Sequence, residues 1–238
     1  MKKRNKILIG VLAGLVVILL GAWLYLRAQV YSPSQPAQQA AESAQVTNQW
    51  LYFKAEKTDT PAVVFYPGAF VSPPSYSIWA KKVAAAGYPV YVLQMPLALA
   101  VLKPNAADGV AKQTKRSLVV GGHSLGGVMA SRYAHAHNDI QGVFFLASYP
   151  DQKGSLRGFQ KPVLSITASR DGVLNWSTYR QAKQYLPTQT IFIQIKGGNH
   201  AGFGSYGHQK GDRTATISNA QQQEQIAQTM IKWLQQAQ

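Results

Sequence analysis

Residues 117–136 read SLVVGGHSLGGVMASRYAHA. An apolar, β-branched run stops at two glycines and passes, across a single serine, into a stretch with helical spacing. Within it, Gly122-His123-Ser124-Leu125-Gly126 is a G-x-S-x-G pentapeptide lying between a strand and a helix, the context that gives the motif its meaning. A turn this sharp strains the serine and holds its Oγ up at the strand's end. Small flanking residues let neighbouring backbone come close. The backbone N–H of Leu125, at the helix N-terminus, then points where an oxyanion would form. The bare pentapeptide is weak, because glycine-rich turns contain serine by chance. The strand before it, and Gly127 and an amphipathic helix after it, favour a nucleophile at Ser124.

The same alternation runs through the chain from about residue 50. WLYF (50–53), AVVFY (62–66), PVYVLQM (89–95), SLVVGG (117–122), GVFFLAS (142–148), PVLSITAS (162–169) and TIFIQIK (190–196) read as strands. Between them, Ser72-Pro73-Pro74 opens a helix whose face carries Tyr76, Trp79, Ala80, Val83 and Ala84 and which closes at Gly87 and Pro89. Helices are expected from Leu125 to His137 and over 176–186. A last helix starts near Ser218, with Gln221 completing a capping box, and Ala220, Ala227, Met230, Ile231 and Leu234 on its apolar face. Strands apolar on both faces and separated by helices predict an α/β fold: a mostly parallel sheet covered on both sides, with chemistry at the carboxyl ends of the strands.

Ahead of this domain, residues 7–26 carry twenty uncharged residues, ILIGVLAGLVVILLGAWLYL, long enough to span a bilayer as one helix. The run exceeds a signal-peptide core and offers no convincing cleavage site, so an uncleaved anchor over 1–27 is expected, with cleavage and secretion as the alternative. Lys2, Lys3, Arg4 and Lys6 precede the run and Arg27 alone closely follows it. The positive-inside rule puts the N-terminus in the cytoplasm and the catalytic part outside. Residues 28–49 are rich in Gln, Ala, Ser and Pro and read as a flexible linker to a domain over 50–238. The net charge is +15. Five of the 24 basic residues flank the apolar run, leaving 19 against 9 acids for the remainder. This surplus suits anionic lipid or wall polymer, or simply a solvated basic surface. Nucleic acid is not expected, because no basic stripe interleaves with aromatics. With no cysteine, disulfides and cysteine–metal sites are excluded, and no histidine spacing suggests a metal.

GGHSLGG, YPGAF, the Asp171-Gly172 pair after a late strand and GGNHAGFG together resemble the α/β-hydrolase superfamily. More closely, the chain resembles small membrane-anchored bacterial α/β hydrolases related to dienelactone hydrolases and carboxylesterases. The likeness covers about residues 50–238. It implies the chain order nucleophile, acid, base. Dienelactone hydrolases use a cysteine where this chain has serine, so their lactone chemistry does not carry over.

After Ser124 and its helix, only His200 and His208 remain as bases. His200, directly after the last strand in KGGNHAGFG, is the better placed. His123 reads as a packing or hydrogen-bonding residue, and His135 and His137 as ordinary helix residues. Between Ser124 and His200 the acids are Asp139, Asp151 and Asp171. Asp139 sits at the wrong end of its strand. Asp171, after the penultimate strand, is favoured, with Asp151 as the alternative; Asp212 follows the base. The resemblance assigns the second oxyanion donor to a backbone N–H at Ala69 or Phe70 in YPGAF. Only about a dozen residues, YPDQKGSLRGFQK, join GVFFLAS to the next strand, which leaves no room for a cap domain. Residues 197–213 are the candidate roof, and 95–105 a candidate apolar wall. The expected activity is cofactor-independent cleavage of a small-molecule carboxylic ester through an acyl-enzyme. An acyltransferase on the same triad and a non-catalytic anchored binding protein are the alternatives.

Overall fold

The structure, a computed structural model, describes residues 2–236 and comprises two compact units, Met1–Val30 and Tyr31–Gln238. The first is a single helix, α1 (Lys2–Ala28). Its segment Leu8–Ala28 has mean hydropathy 2.5 and buries nothing within the protein. It is long and apolar enough to cross a membrane, and a signal sequence meets the same criterion.

In the second unit the elements run α2 (Gln35–Ala41), β1 (Gln45–Val46), β2 (Trp50–Phe53), β3 (Ala62–Tyr66), α3 (Ser77–Ala85), β4 (Val90–Leu93), α4 (Ala107–Gln113), β5 (Leu118–His123), α5 (Leu125–Ala136), β6 (Ile140–Leu146), β7 (Val163–Ala168), α6 (Trp176–Ala182), β8 (Ile191–Ile195) and α7 (Asn219–Gln236). They build one eight-stranded sheet in the order β1-β2-β4-β3-β5-β6-β7-β8. β1 and β2 are antiparallel and every pairing from β4 to β8 is parallel.

Strands β3 to β7 are buried almost throughout because both faces are covered, and their two-residue period divides them between two cores; β8 leaves Ile191, Phe192 and Ile193 exposed. From β3, Val63 and Phe65 join a cluster with Trp79, Val83, Ile226, Met230 and Trp233 of α3 and α7. Ala62, Val64 and Tyr66 face the other way, onto Val110, Met129, Ala130 and Tyr133 of α4 and α5. Each fully buried aromatic or branched side chain contributes about 1.5–3 kcal/mol by leaving water, so two complete cores hold the strand ends in fixed positions.

The expected strands are present with shifts of one or two residues at their ends, and the helix expected over 176–186 is α6 to Ala182 followed by a 3-10 turn, Lys183–Tyr185. The Ser72-Pro73-Pro74 start begins as a 3-10 turn, Pro73–Tyr76, before α3 proper. The expected capping box forms: Gln221 N–H donates to Ser218 Oγ at 3.1 Å and Ser218 N–H to Gln221 Oε1 at 2.9 Å. On α7, Ala220 is exposed, whereas two glutamines, Gln222 and Gln223, are buried.

The segment expected to be a flexible linker over 28–49 is structured from Tyr31 onward. Tyr31 pairs with Val71 in a parallel bridge. Ser34 caps α2, its N–H donates to the Ser205 carbonyl at 2.7 Å, and its Oγ lies 2.7 Å from Ser205 Oγ. Ala37 is fully buried. Small, polar side chains carry no apolar period to read, yet they let this backbone lie flat on the domain and satisfy its hydrogen bonds there.

Candidate active site

Ser124 connects β5 to α5 with φ 52° and ψ −124°, a conformation that costs a non-glycine residue on the order of 1–3 kcal/mol. Its N–H donates to the Leu146 carbonyl at 3.1 Å, and the Ser148 hydroxyl donates to the Ser124 carbonyl at 2.5 Å. The last turn of β6 thus holds the elbow from behind. Gly126 is glycine because α5 begins against the β3 loop: a Cβ there would overlap the carbonyl oxygens of Tyr66 and Pro67.

Asp171 follows β7 and is fully buried. Its Oδ1 accepts the N–H groups of Val173 at 2.9 Å and Leu174 at 2.7 Å, and its Oδ2 accepts His200 Nδ1–H at 2.8 Å. These bonds place the second histidine proton site, Nε2, on the far side of the ring. Among the described residues, that buried Nε2 has no hydrogen-bond partner. Ser124, Leu125 and His200 line one cavity of about 240 Å³ together with Val128, Val173 and Leu174. Sequence reasoning therefore singled out three side chains that the fold brings to one place, at the carboxyl ends of β5, β7 and β8.

The remaining candidates lie elsewhere. Asp151 pairs with Arg132 (Nε to Oδ2, 3.1 Å) and caps the short turn Gln152–Gly154. Asp139 is exposed at the amino end of β6, and His208 is exposed. Of the expected roof over 197–213, only His200 reaches the cavity. The expected wall over 95–105 does not line it; Val128, Val173 and Leu174 do instead. The 149–161 connection holds only short turns, Gln152–Gly154 and one closed by Phe159 N–H on the Leu156 carbonyl, so it builds no cap.

For the oxyanion pair, Leu125 is the first residue of α5, where a backbone N–H has no partner within its own helix. Phe70 requires a correction. Its N–H donates to the Ala98 carbonyl at 2.9 Å, so it is already committed. Phe70 itself adopts φ 57°, and its carbonyl accepts the Tyr31 N–H at 2.7 Å. Ala69 remains as the candidate on this loop.

Beneath the loop, Gly68 N–H donates to the Tyr76 hydroxyl at 2.9 Å, and that hydroxyl lies 3.0 Å from His123 Nδ1. Burial, followed by the proximity of His200, pushes His123 well below the usual histidine range. It is therefore neutral near pH 7. The ring of His123 lies 4.5 Å from that of His200. The base loop is held from α7: Gln222 Oε1 accepts Asn199 N–H at 3.0 Å, Gln222 Nε2 donates to the Asn199 carbonyl at 2.8 Å, and Gln223 Nε2 donates to the carbonyls of Gly202 at 2.8 Å and Gly204 at 2.9 Å. Ser148, Gln222 and Gln223 have no place in the sequence expectation, and Tyr76 enters it only as a packing residue of its helix. Only the two glutamines left a signal, as polar residues on the buried side of an amphipathic helix.

A family model described as the alpha/beta hydrolase family matches residues 62–224. Among solved structures, a dienelactone hydrolase from Anabaena variabilis is similar with a TM-score of 0.60 at 16% identity, over 79% of this chain and 90% of that one. The esterase domain of a Rhodothermus marinus protein gives 0.60 at 12% identity, over 79% and 92%. A ferulic acid esterase from Streptomyces cinnamoneus gives 0.59 at 17%, over 75% and 67%. At these identities the likeness is one of fold. A comparison with curated proteins gives no match.

Proposed function

The chain belongs to the alpha/beta hydrolase family, and on that premise we propose that it is a serine hydrolase that cleaves small carboxylic esters through an acyl-enzyme. The observation that carries this reading is the shared cavity. Ser124 lines it from a strained elbow, and His200 lines it with Nδ1 held by Asp171 and Nε2 left unpaired. In this mechanism His200 Nε2 takes the Ser124 proton as Oγ attacks the ester carbonyl. The Leu125 and Ala69 N–H groups hold the oxyanion. The imidazolium then protonates the leaving alcohol as the carbon–oxygen bond breaks. Water, deprotonated by the same nitrogen, releases the acid and restores Ser124. Asp171 keeps the proton on Nδ1 and stabilises the imidazolium without taking the proton itself. A cavity of about 240 Å³ without a cap favours short or medium acyl groups. We further propose that α1 anchors the enzyme with its catalytic unit outside the cytoplasmic membrane.

A p-nitrophenyl ester series on the full-length protein, with a fluorophosphonate probe, tests the reading. Turnover of short chains and labelling at Ser124 are expected. Ser124→Ala should remove both, because triad members act as a unit worth roughly 10⁶-fold in kcat. Retention of more than a few per cent of turnover in that variant rules out Ser124 as nucleophile.

A further inference from the structure

Asp212 follows His200 in the chain, which weighs against it as the triad acid, yet its carboxylate touches both loops that carry the acid and the base. Its Oδ2 accepts the N–H of Ala201 at 2.8 Å, one residue beyond His200. Its Oδ1 accepts the N–H of Gly172 at 3.0 Å, one residue beyond Asp171, and that of Arg213 at 2.9 Å. Arg213 repeats the pattern. Its Nη2 donates to the Asp171 carbonyl at 3.2 Å, and its own carbonyl accepts Asn199 Nδ2 at 2.8 Å. Two consecutive residues therefore make a bond to each side of the Asp171–His200 pair.

The glycine of Asp171-Gly172 belongs to the same arrangement. A Cβ at Gly172 would stand 2.7 Å from the Gly211 carbonyl oxygen and 3.0 Å from Arg213 N. Only hydrogen at this position allows the 211–213 backbone to close on the acid loop. The requirement is for close approach, since Gly172 is not among the residues with positive φ.

We propose that Asp212 and Arg213 are positioning residues that form a clasp fixing the Asp171 loop against the His200 loop, and so set the geometry of the acid–base pair. The inference rests on the reading of that pair as the one serving Ser124. Both loops lie beyond strand ends, and the His200 loop turns at Gly197, with φ 81°. A carboxylate suits the task because both loops present N–H donors, and two acceptor oxygens are needed at once. Asparagine at 212 supplies one acceptor and must release one arm.

The test uses full-length protein in detergent micelles, labelled with ¹⁵N-histidine, in three variants: Asp212→Asn, Gly172→Ala and Ser124→Ala. The readouts are kcat and KM on a p-nitrophenyl ester, thermal unfolding, and the low-field Nδ1–H resonance of His200, assigned by its loss in His200→Gln. Asp212→Asn should lower kcat about 10²-fold, the scale of a 1 Å misplacement. KM should stay nearly unchanged, because Asp212 does not line the cavity, and the His200 resonance should move or broaden. Gly172→Ala keeps every clasp side chain and should lower kcat and disturb the resonance in the same way, so it decides the matter even where Asp212→Asn fails to fold. A folded variant with unchanged kcat and an unmoved resonance overturns the clasp. Turnover above a few per cent in Ser124→Ala overturns the reading of Ser124 as nucleophile instead, while the resonance still reports on the clasp.

Discussion

The Asp171→Asn substitution tests the acid through a tautomer that the surrounding bonds dictate. Asp171 Oδ1 faces two backbone donors, Val173 N–H and Leu174 N–H, and Oδ2 faces His200 Nδ1. An amide can satisfy the two backbone donors only with its carbonyl oxygen, which turns its NH₂ toward His200. Two donors cannot face each other, so the imidazole must present a bare Nδ1 and carry its proton on Nε2. That nitrogen is the one without a hydrogen-bond partner among the described residues, and once protonated it cannot take a proton from Ser124. Flipping the amide restores the histidine tautomer but strands the half-buried Val173 N–H and the buried Leu174 N–H, the latter at about 1–3 kcal/mol, enough to keep the flipped form a minor one. The expected loss is about 10⁴-fold in kcat, the scale for this substitution in a Ser-His-Asp triad, with thermal stability little changed. Asp151→Asn should be mild, because Asp151 is engaged with Arg132 and Gly154 away from the cavity. The assay is p-nitrophenyl butyrate turnover alongside the rate of fluorophosphonate labelling. More than a tenth of wild-type kcat in Asp171→Asn, or a larger loss in Asp151→Asn, refutes the reasoning.

His123 should make the fold acid-sensitive. Its folded pKa is lowered by burial while the unfolded chain titrates near 6.5, so the unfolded state binds the extra proton, and stability is complete above that pH and lost as pH falls below it. The loss is about 1.4 kcal/mol per pH unit until the folded form titrates; denaturant unfolding between pH 7.5 and 4.5 should show this slope and its reduction in His123→Gln, and equal slopes would count against it. For topology, protease added to wall-stripped cells should cut the accessible chain. Full-length protein that is cut only after lysis would reverse the proposed orientation, and an intact secreted enzyme beginning near residue 28 would identify a cleaved signal.

The central strands of the sheet are legible because both of their faces are covered. AVVFY and GVFFLAS have no polar face to confuse with a helix, and the glycines and prolines at their ends mark where each stops. α4, reading ADGVAKQ, escaped notice: it contributes only Ala107 and Val110 to the core, too few apolar positions to form a period. α2 escaped for the same reason, with Ala37 its one buried residue. Short helices held by one or two small side chains depend on the surface they meet, and that surface is not encoded in their own residues.

The site divides along a similar line. Ser124, Asp171 and His200 are visible because their chemistry is in their side chains and their order is fixed by where strands end. The groups that hold them act through backbone. Asp171 is oriented by two amides, the elbow by the Ser148 hydroxyl on a carbonyl, the base loop by Gln222 and Gln223, and both loops by Asp212 on amides of Gly172 and Ala201. Every residue offers an amide and nearly every one a carbonyl, so such partners carry no sequence label. Phe70 shows the cost of this in reverse. As a backbone donor it was as plausible as Ala69, and only the Ala98 carbonyl on its N–H separates them. Ala98 lies in a loop where Leu97 and Ala98 both take positive φ, a conformation that the sequence PLAL gives no reason to expect. Whether the Phe70 N–H is free is therefore decided by a loop about thirty residues away in the chain, through a contact that exists only once β3 and β4 are paired.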